Sequence, residues 1–190
     1  MAVKYPVTVT PTTKSRLSQV DFSNLPFGKV ISDHMFVIDY DGKNWVDARI
    51  EAFQNMEISP ANLALHYGQS IFEGMKASKR NGEPMLFRPE MNAHRLNASA
   101  ERMCMPTLPE DLFLQAVKML VELDSEWIPE KEDHSLYIRP LMFATDDYFG
   151  VHASEKYRFL IFTGPVGPYY SKPVKLWVEE VYTRAAQGGS

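Results

Sequence analysis

Residues 135–144, SLYIRPLMFA, are rich in aromatic and branched side chains and set apolar residues at alternate positions, the pattern of a sheet strand. Arg139 stands in the middle of it. A buried charge without a partner costs several kcal/mol, so this guanidinium must reach water, a carboxylate or another anion. Residues two apart on a strand share a face, so Tyr137 and Arg139 present a phenol and a guanidinium to one place. Together they suit a carboxylate: the planar fork makes two charge-assisted hydrogen bonds and the hydroxyl adds a third. Pro140 cannot donate to a ladder, which predicts an edge or bulge position open to a ligand. From these ten residues alone, a structural ion pair or an arginine reaching water at a sheet edge is an equal explanation.

Outward from this strand, residues 157–166, YRFLIFTGPV, read as a second one, and GPVGPYYSKPV breaks the pattern with glycine and proline. KLWVEEVYTRAAQGGS then begins a new strand. Upstream, Leu112, Ala116, Met119, Leu120 and Leu123 form one stripe of a helix predicted over about Pro109 to Trp127. A short strand precedes Pro89, which opens a further helix as its first residue. Asp41-Gly42 marks a hairpin turn between two alternating strands in HMFVIDYDGKNWVDARIEAF. Residues 1–25, dominated by Thr, Pro and Ser, read as an extended or poorly ordered arm. Two helices among several strands, without a βαβ rhythm, predict an α+β domain: an antiparallel sheet with flanking helices.

The 190 residues are 45% apolar and 12% aromatic, enough for one substantial core. Net charge is −4 and the basic residues are scattered, which sets nucleic-acid binding aside. Cys104 is the single cysteine and fits a reducing compartment; Met103 and Met105 beside it predict a packed thiol. No run of about 18 uncharged apolar residues occurs and the first residues hold no compact apolar region, so a cytoplasmic protein without a membrane partner is expected. The five histidines are too dispersed for a metal site, none of which is expected, and no Walker-type or GxGxxG loop is present.

Two other stretches carry candidate chemistry. Arg95 lies mid-helix, one residue before Leu96 on the buried stripe, within reach of a phosphate or an acidic partner; a merely solvated arginine is the ordinary alternative. His94 beside it points about 100° away, toward the surface. LHYGQSIFEG places Tyr67, Gly68, Phe72, Glu73 and Gly74 within eight positions, where glycines let backbone approach a flat ligand and the rings wall an apolar slot. Core aromatics at the start of a helix would give the same letters.

In order, ALHYGQSIFEGMKA, LFRPEMNAHRLNASAERM, SLYIRPLMF, GPVGPYY and YTRAAQGG resemble the N-terminal part of branched-chain amino acid aminotransferases, fold-type IV enzymes that use pyridoxal 5′-phosphate. The resemblance runs from about Phe27 to the last residue. It implies that Arg95 holds the cofactor phosphate, and that Tyr137 and Arg139 receive substrate carboxylate, including the distal one of glutamate. Tyr67 and Phe72 are implied to line the pocket for the branched side chain, Tyr169 to border the active site with Tyr170 as its competitor, and Phe27 to add another aromatic. Small amino acid and 2-oxo acid substrates and a homodimer are implied as partners.

The resemblance also implies a Schiff-base lysine shortly after a segment like RAAQGGS, and none of the eleven lysines stands in that context. Lys172 and Lys175 fall in the linker, and Lys76 and Lys79 read as a surface turn. The expectation is therefore a small domain over residues 1–168, a linker over 169–178 and the first strand of a larger domain over 179–190, inactive alone and without a catalytic residue of its own. A D-amino acid aminotransferase or aminodeoxychorismate lyase of the same fold is the alternative within the class. A non-catalytic dimerisation or regulatory domain is the alternative outside it. The aminotransferase assignment predicts that Arg95 and Arg139 face one cleft.

Overall fold

The protein is described by a computed structural model, which covers residues 4–170 and 172–182. Eight strands form one sheet: β1 (Thr8–Val9), β2 (His34–Tyr40), β3 (Trp45–Ala52), β4 (Ser70–Phe72), β5 (Met75–Arg80), β6 (Glu83–Leu86), β7 (Ser135–Ala144) and β8 (Tyr157–Val166). The helices are α1 (Leu63–Tyr67), α2 (Pro89–Arg102) and α3 (Glu110–Leu123). Strand order is β1-β3-β2-β8-β7-β5-β6, and β4 pairs with β7 beside β5. Every pairing is antiparallel except that of β1, whose two residues lie parallel to β3 at Arg49 and Ile50. The architecture is α+β.

The hairpin forms where Asp41-Gly42 predicts it. Asp41 Oδ1 accepts from the N–H groups of Lys43 and Asn44, both at 2.8 Å, and Gly42 takes a positive φ of 102° that its missing Cβ permits. α2 begins on Pro89 as its first residue. α3 is shorter than its apolar period suggests, because Asp124 caps it and directs its carboxylate to His34, with the imidazole Nδ1 at 2.6 Å. Its buried stripe takes in Phe113, Val117 and Val121, whereas Leu123 falls at the surface.

α2 and α3 cover one face of the sheet. Leu96, Phe113 and Leu120 pack there with Phe36, Ile138 and Phe159, all essentially excluded from water, and each such side chain contributes about 1.5–3 kcal/mol. A second, smaller cluster of Met35, Val37, Phe143 and Leu160 forms on the opposite face, with Phe53, Leu141 and Phe162 against it. Successive residues of β7 alternate between these faces, so Ile138 enters the helical core while Tyr137 and Arg139 look away from it.

Three local expectations differ from what forms. β7 is an interior strand rather than an edge: β8 pairs with it along its whole length, while on its other side β5 covers 136–138 and β4 covers 141–143. Pro140 falls in the gap between those two partners, where a missing donor interrupts nothing. Cys104 is exposed, because the chain leaves α2 through a left-handed turn at that residue, φ 55°. Lys76 and Lys79 lie on β5 rather than in a turn.

The arm over residues 4–25 runs along the sheet, with Tyr5, Val7, Leu17 and Val20 against the core. Residues 172–182 pair with no strand, and residues 183–190, with most of the strand expected over 179–190 and Gly188-Gly189, lie outside the described residues. Among the described residues no helix is long and apolar enough to cross a membrane.

Candidate active site

On the face away from the helices, Arg139 Nη2 donates to the Tyr137 hydroxyl at 2.9 Å. The guanidinium carbon lies 4.5 Å from the centre of the Phe72 ring and 5.3 Å from that of Tyr137, cation–π distances. Among the described residues no carboxylate pairs with Arg139, and its buried Nε has no acceptor. This is a cation fixed by aromatics and opposed by no anion of the described residues.

Beside it is a cavity of about 240 Å³, walled by Phe27, Val30, Ile31, Phe162 and Val166, with Tyr137 and Arg139 supplying its polar side chains. β7 contributes Tyr137 and Arg139 two residues apart, and β8 contributes Phe162 and Gly164 directly opposite them in register. The wall of residues 27–31 lies close to β8 because Gly164 has no side chain; a Cβ there would overlap the Val30 carbonyl. Phe27 stands edge-on to Tyr137 at 5.7 Å and to Tyr169 at 4.8 Å. Tyr169 therefore borders the cluster, and Tyr170 stands edge-on to Tyr169 at 4.7 Å.

Arg95 occupies a different place. It does not line this cavity, whose guanidinium is that of Arg139. Its Nε donates to Glu73 Oε1 at 2.7 Å and its Nη2 to Glu73 Oε2, which also accepts from Asn92 at 2.9 Å. The physical cause is Glu73, whose side chain is 5% exposed and requires a charge partner. Burial would raise its carboxyl, but the Arg95 and Asn92 hydrogen bonds outweigh that and hold it below its ordinary value. Arg95 itself is 66% exposed and gives Nε and Nη2 to Glu73, so Nη1 is the donor left for one oxygen-rich anion such as a phosphate ester.

The two cations are nevertheless linked through one turn. Phe72, beneath Arg139, precedes Glu73, which holds Arg95 and donates its N–H to the Pro140 carbonyl at 3.0 Å. Gly74 follows, and a Cβ on it would overlap the Tyr137 hydroxyl. The FEG triplet thus serves both sites, Gly74 by leaving room. Tyr67 ends α1 at the surface, where its nearest ring contact is His66, and it does not line the cavity. Sequence reasoning missed the Glu73–Arg95 pair and the wall of residues 28–31, neither of which carries a local signal.

No family model matches the chain. A probable branched-chain-amino-acid aminotransferase of Staphylococcus aureus is 49% identical over 174 residues, 89% of this chain and 49% of that protein. The chain spans about half the length of the curated relatives it matches. Among solved structures, a branched-chain aminotransferase of Thermoproteus uzoniensis with norvaline superposes with a TM-score of 0.58 at 21% identity, over 73% of this chain and 43% of that one. A T.th. branched-chain amino acid aminotransferase with pyridoxamine 5′-phosphate gives 0.53 at 23%, over 72% and 41%. At those identities the two structures speak to the fold alone.

Proposed function

The chain belongs to the branched-chain aminotransferase family, and from that premise we propose that its protein transfers amino groups reversibly between leucine, isoleucine or valine and 2-oxoglutarate, with the Arg139 cavity receiving the substrate carboxylate. The observation that carries this reading is Arg139: no acid opposes it among the described residues, its Nε is buried without an acceptor, and an apolar-walled space opens beside it. An incoming carboxylate would complete the hydrogen bonds that the fold leaves unmade.

Pyridoxal 5′-phosphate is the proposed cofactor, in keeping with the relatives' activity and with the pyridoxamine 5′-phosphate named for the T.th. structure. Arg95 would hold its phosphate through the Nη1 edge. When bound, it supplies the carbonyl that takes up the amino group and the electron sink for loss of the α-proton. This chain's residues bind and orient. Phe27 and Tyr137 wall the space and penalise polar side chains by desolvation, while Arg139, held against the Phe72 and Tyr137 rings, takes either carboxylate of a dicarboxylic substrate. Among the described residues no lysine lines this cavity. A homodimer, and a small domain to residue 168 joined by residues 169–178 to a strand over 179–190, belong to the same proposal.

Calorimetric titration with 2-oxoglutarate tests it. Arg139→Met is expected to weaken binding by about 1.5–3 kcal/mol, the value of hydrogen bonds to a charged group. Equal affinity in the Met variant and the parent protein would refute the carboxylate assignment.

A further inference from the structure

The segment of residues 27–31 forms a wall of the Arg139 cavity with few backbone ties of its own: Lys29 N–H reaches the Pro26 carbonyl at 3.4 Å, and Ser32 N–H reaches the Thr163 carbonyl at 2.8 Å. Arg16, from the arm, holds its far end. Arg16 Nη2 donates to the carbonyls of Ile31 at 3.2 Å and Ser32 at 2.5 Å. Its Nε lies 3.6 Å from Oδ1 of buried Asp33, and its backbone N–H donates to that same oxygen at 2.9 Å. A second contact leads to the same cavity through Phe53, which follows β3. The Arg16 guanidinium lies 5.8 Å from the centre of the Phe53 ring, which packs at 5.8 Å against Phe162, a cavity-lining residue.

We propose that Arg16 is a positioning residue that fixes the apolar wall of the Arg139 cavity and so sets its preference for a carboxylate carrying a branched apolar body. The inference rests on the reading of that cavity as a carboxylate site. Arg16 faces two successive carbonyls and a carboxylate, and a guanidinium fork spans all three where a single ammonium cannot. Removing the fork leaves the two carbonyls to water and frees residues 29–32 relative to Arg139. Displacement of a wall by a fraction of an ångström is felt by a ligand that fills the space against it. A ligand held through charge at both ends depends less on that wall.

Arg16→Met and Arg16→Lys are to be compared with the parent protein by calorimetry with 4-methylvalerate and with glutarate, and by hydrogen exchange of the amides of residues 29–33 without ligand. In the Met variant, exchange rises about tenfold and 4-methylvalerate affinity falls about tenfold, while glutarate affinity stays within about twofold. The Lys variant lies between, and carries the same comparison should the Met variant fail to fold. Loss in equal proportion for both ligands, or no loss, overturns the positioning role; unchanged exchange overturns the clamp itself. Were Arg139→Met to leave both affinities intact, the carboxylate reading would fall, and the exchange measurement would still decide the clamp.

Discussion

Arg139 donates from Nη2 to the hydroxyl of Tyr137 at 2.9 Å, two residues away on one face of β7. This bond orients a guanidinium that no acid among the described residues orients. Tyr137→Phe keeps the ring and removes the acceptor. Glutarate affinity is expected to fall by about 0.5–1.5 kcal/mol, with the thermal midpoint nearly unchanged because the freed donor can turn toward water. Calorimetry and a thermal melt on the same preparation measure both. A variant that binds as tightly as the parent would show that the hydroxyl does not hold Arg139.

Gly74 sits against that hydroxyl, and an added Cβ would overlap it. Gly74→Ala is expected to destabilise the protein by about 1–3 kcal/mol, the usual cost of inserting a methyl group into filled space. The cost should shrink in a Tyr137→Phe background, where the overlapping oxygen is gone. Urea denaturation of the two single variants and the double variant closes the cycle; additive costs would place the strain elsewhere.

Gly164 makes the equivalent allowance for the Val30 carbonyl. Backbone cannot swing aside as a side chain can, so Gly164→Ala should shift residues 27–31 as a unit. The expected signs are a destabilisation of about 1–3 kcal/mol and a change in Phe27 ring-proton shifts, read by denaturation and NMR. Phe27 shifts identical to the parent's would mean that the wall is anchored independently of β8.

Two buried acids give stability opposite dependences on pH. The hydrogen bonds from Arg95 and Asn92 hold Glu73 below its ordinary 4.5 despite burial, so the unfolded chain takes up that proton first. Its stabilisation is present above pH 4.5 and is lost as pH falls through the folded value. At Asp124 burial prevails over the His34 hydrogen bond and holds the carboxyl above its ordinary 3.8, so the folded state takes up the proton first and that contribution is lost as pH rises through the folded value. Glu73→Gln should therefore flatten the acid decline of stability between about pH 5 and 3, and Asp124→Asn should steepen it. Urea midpoints across that range test both signs; parallel curves for all three proteins would remove both assignments.

Much of the fold is legible because it is local. The alternation in SLYIRPLMFA and YRFLIFTGPV gives β7 and β8 with their observed bounds, Asp41-Gly42 gives the hairpin, and Pro89 gives the start of α2. α3 is read too long, because the residue that ends it, Asp124, is engaged by His34, ninety positions away in sequence. Met103 and Met105 suggest a buried Cys104, yet the turn that ends α2 rotates it outward.

By itself the sequence determined the α+β class, the strand that carries Tyr137 and Arg139 on one face, and the family, because periodicities of two and 3.6 and the order of motifs are properties of the chain alone. Tertiary structure decided which charges are neutralised. It set Arg95 on Glu73, twenty-two residues distant, left Arg139 without an acid among the described residues, made β7 an interior strand, and brought Arg16 to the carbonyls of Ile31 and Ser32. A guanidinium on a strand or helix looks the same in sequence whether its anion is a side chain or a ligand. What separates the two is whether packing brings a carboxylate to it or an empty, apolar-walled space.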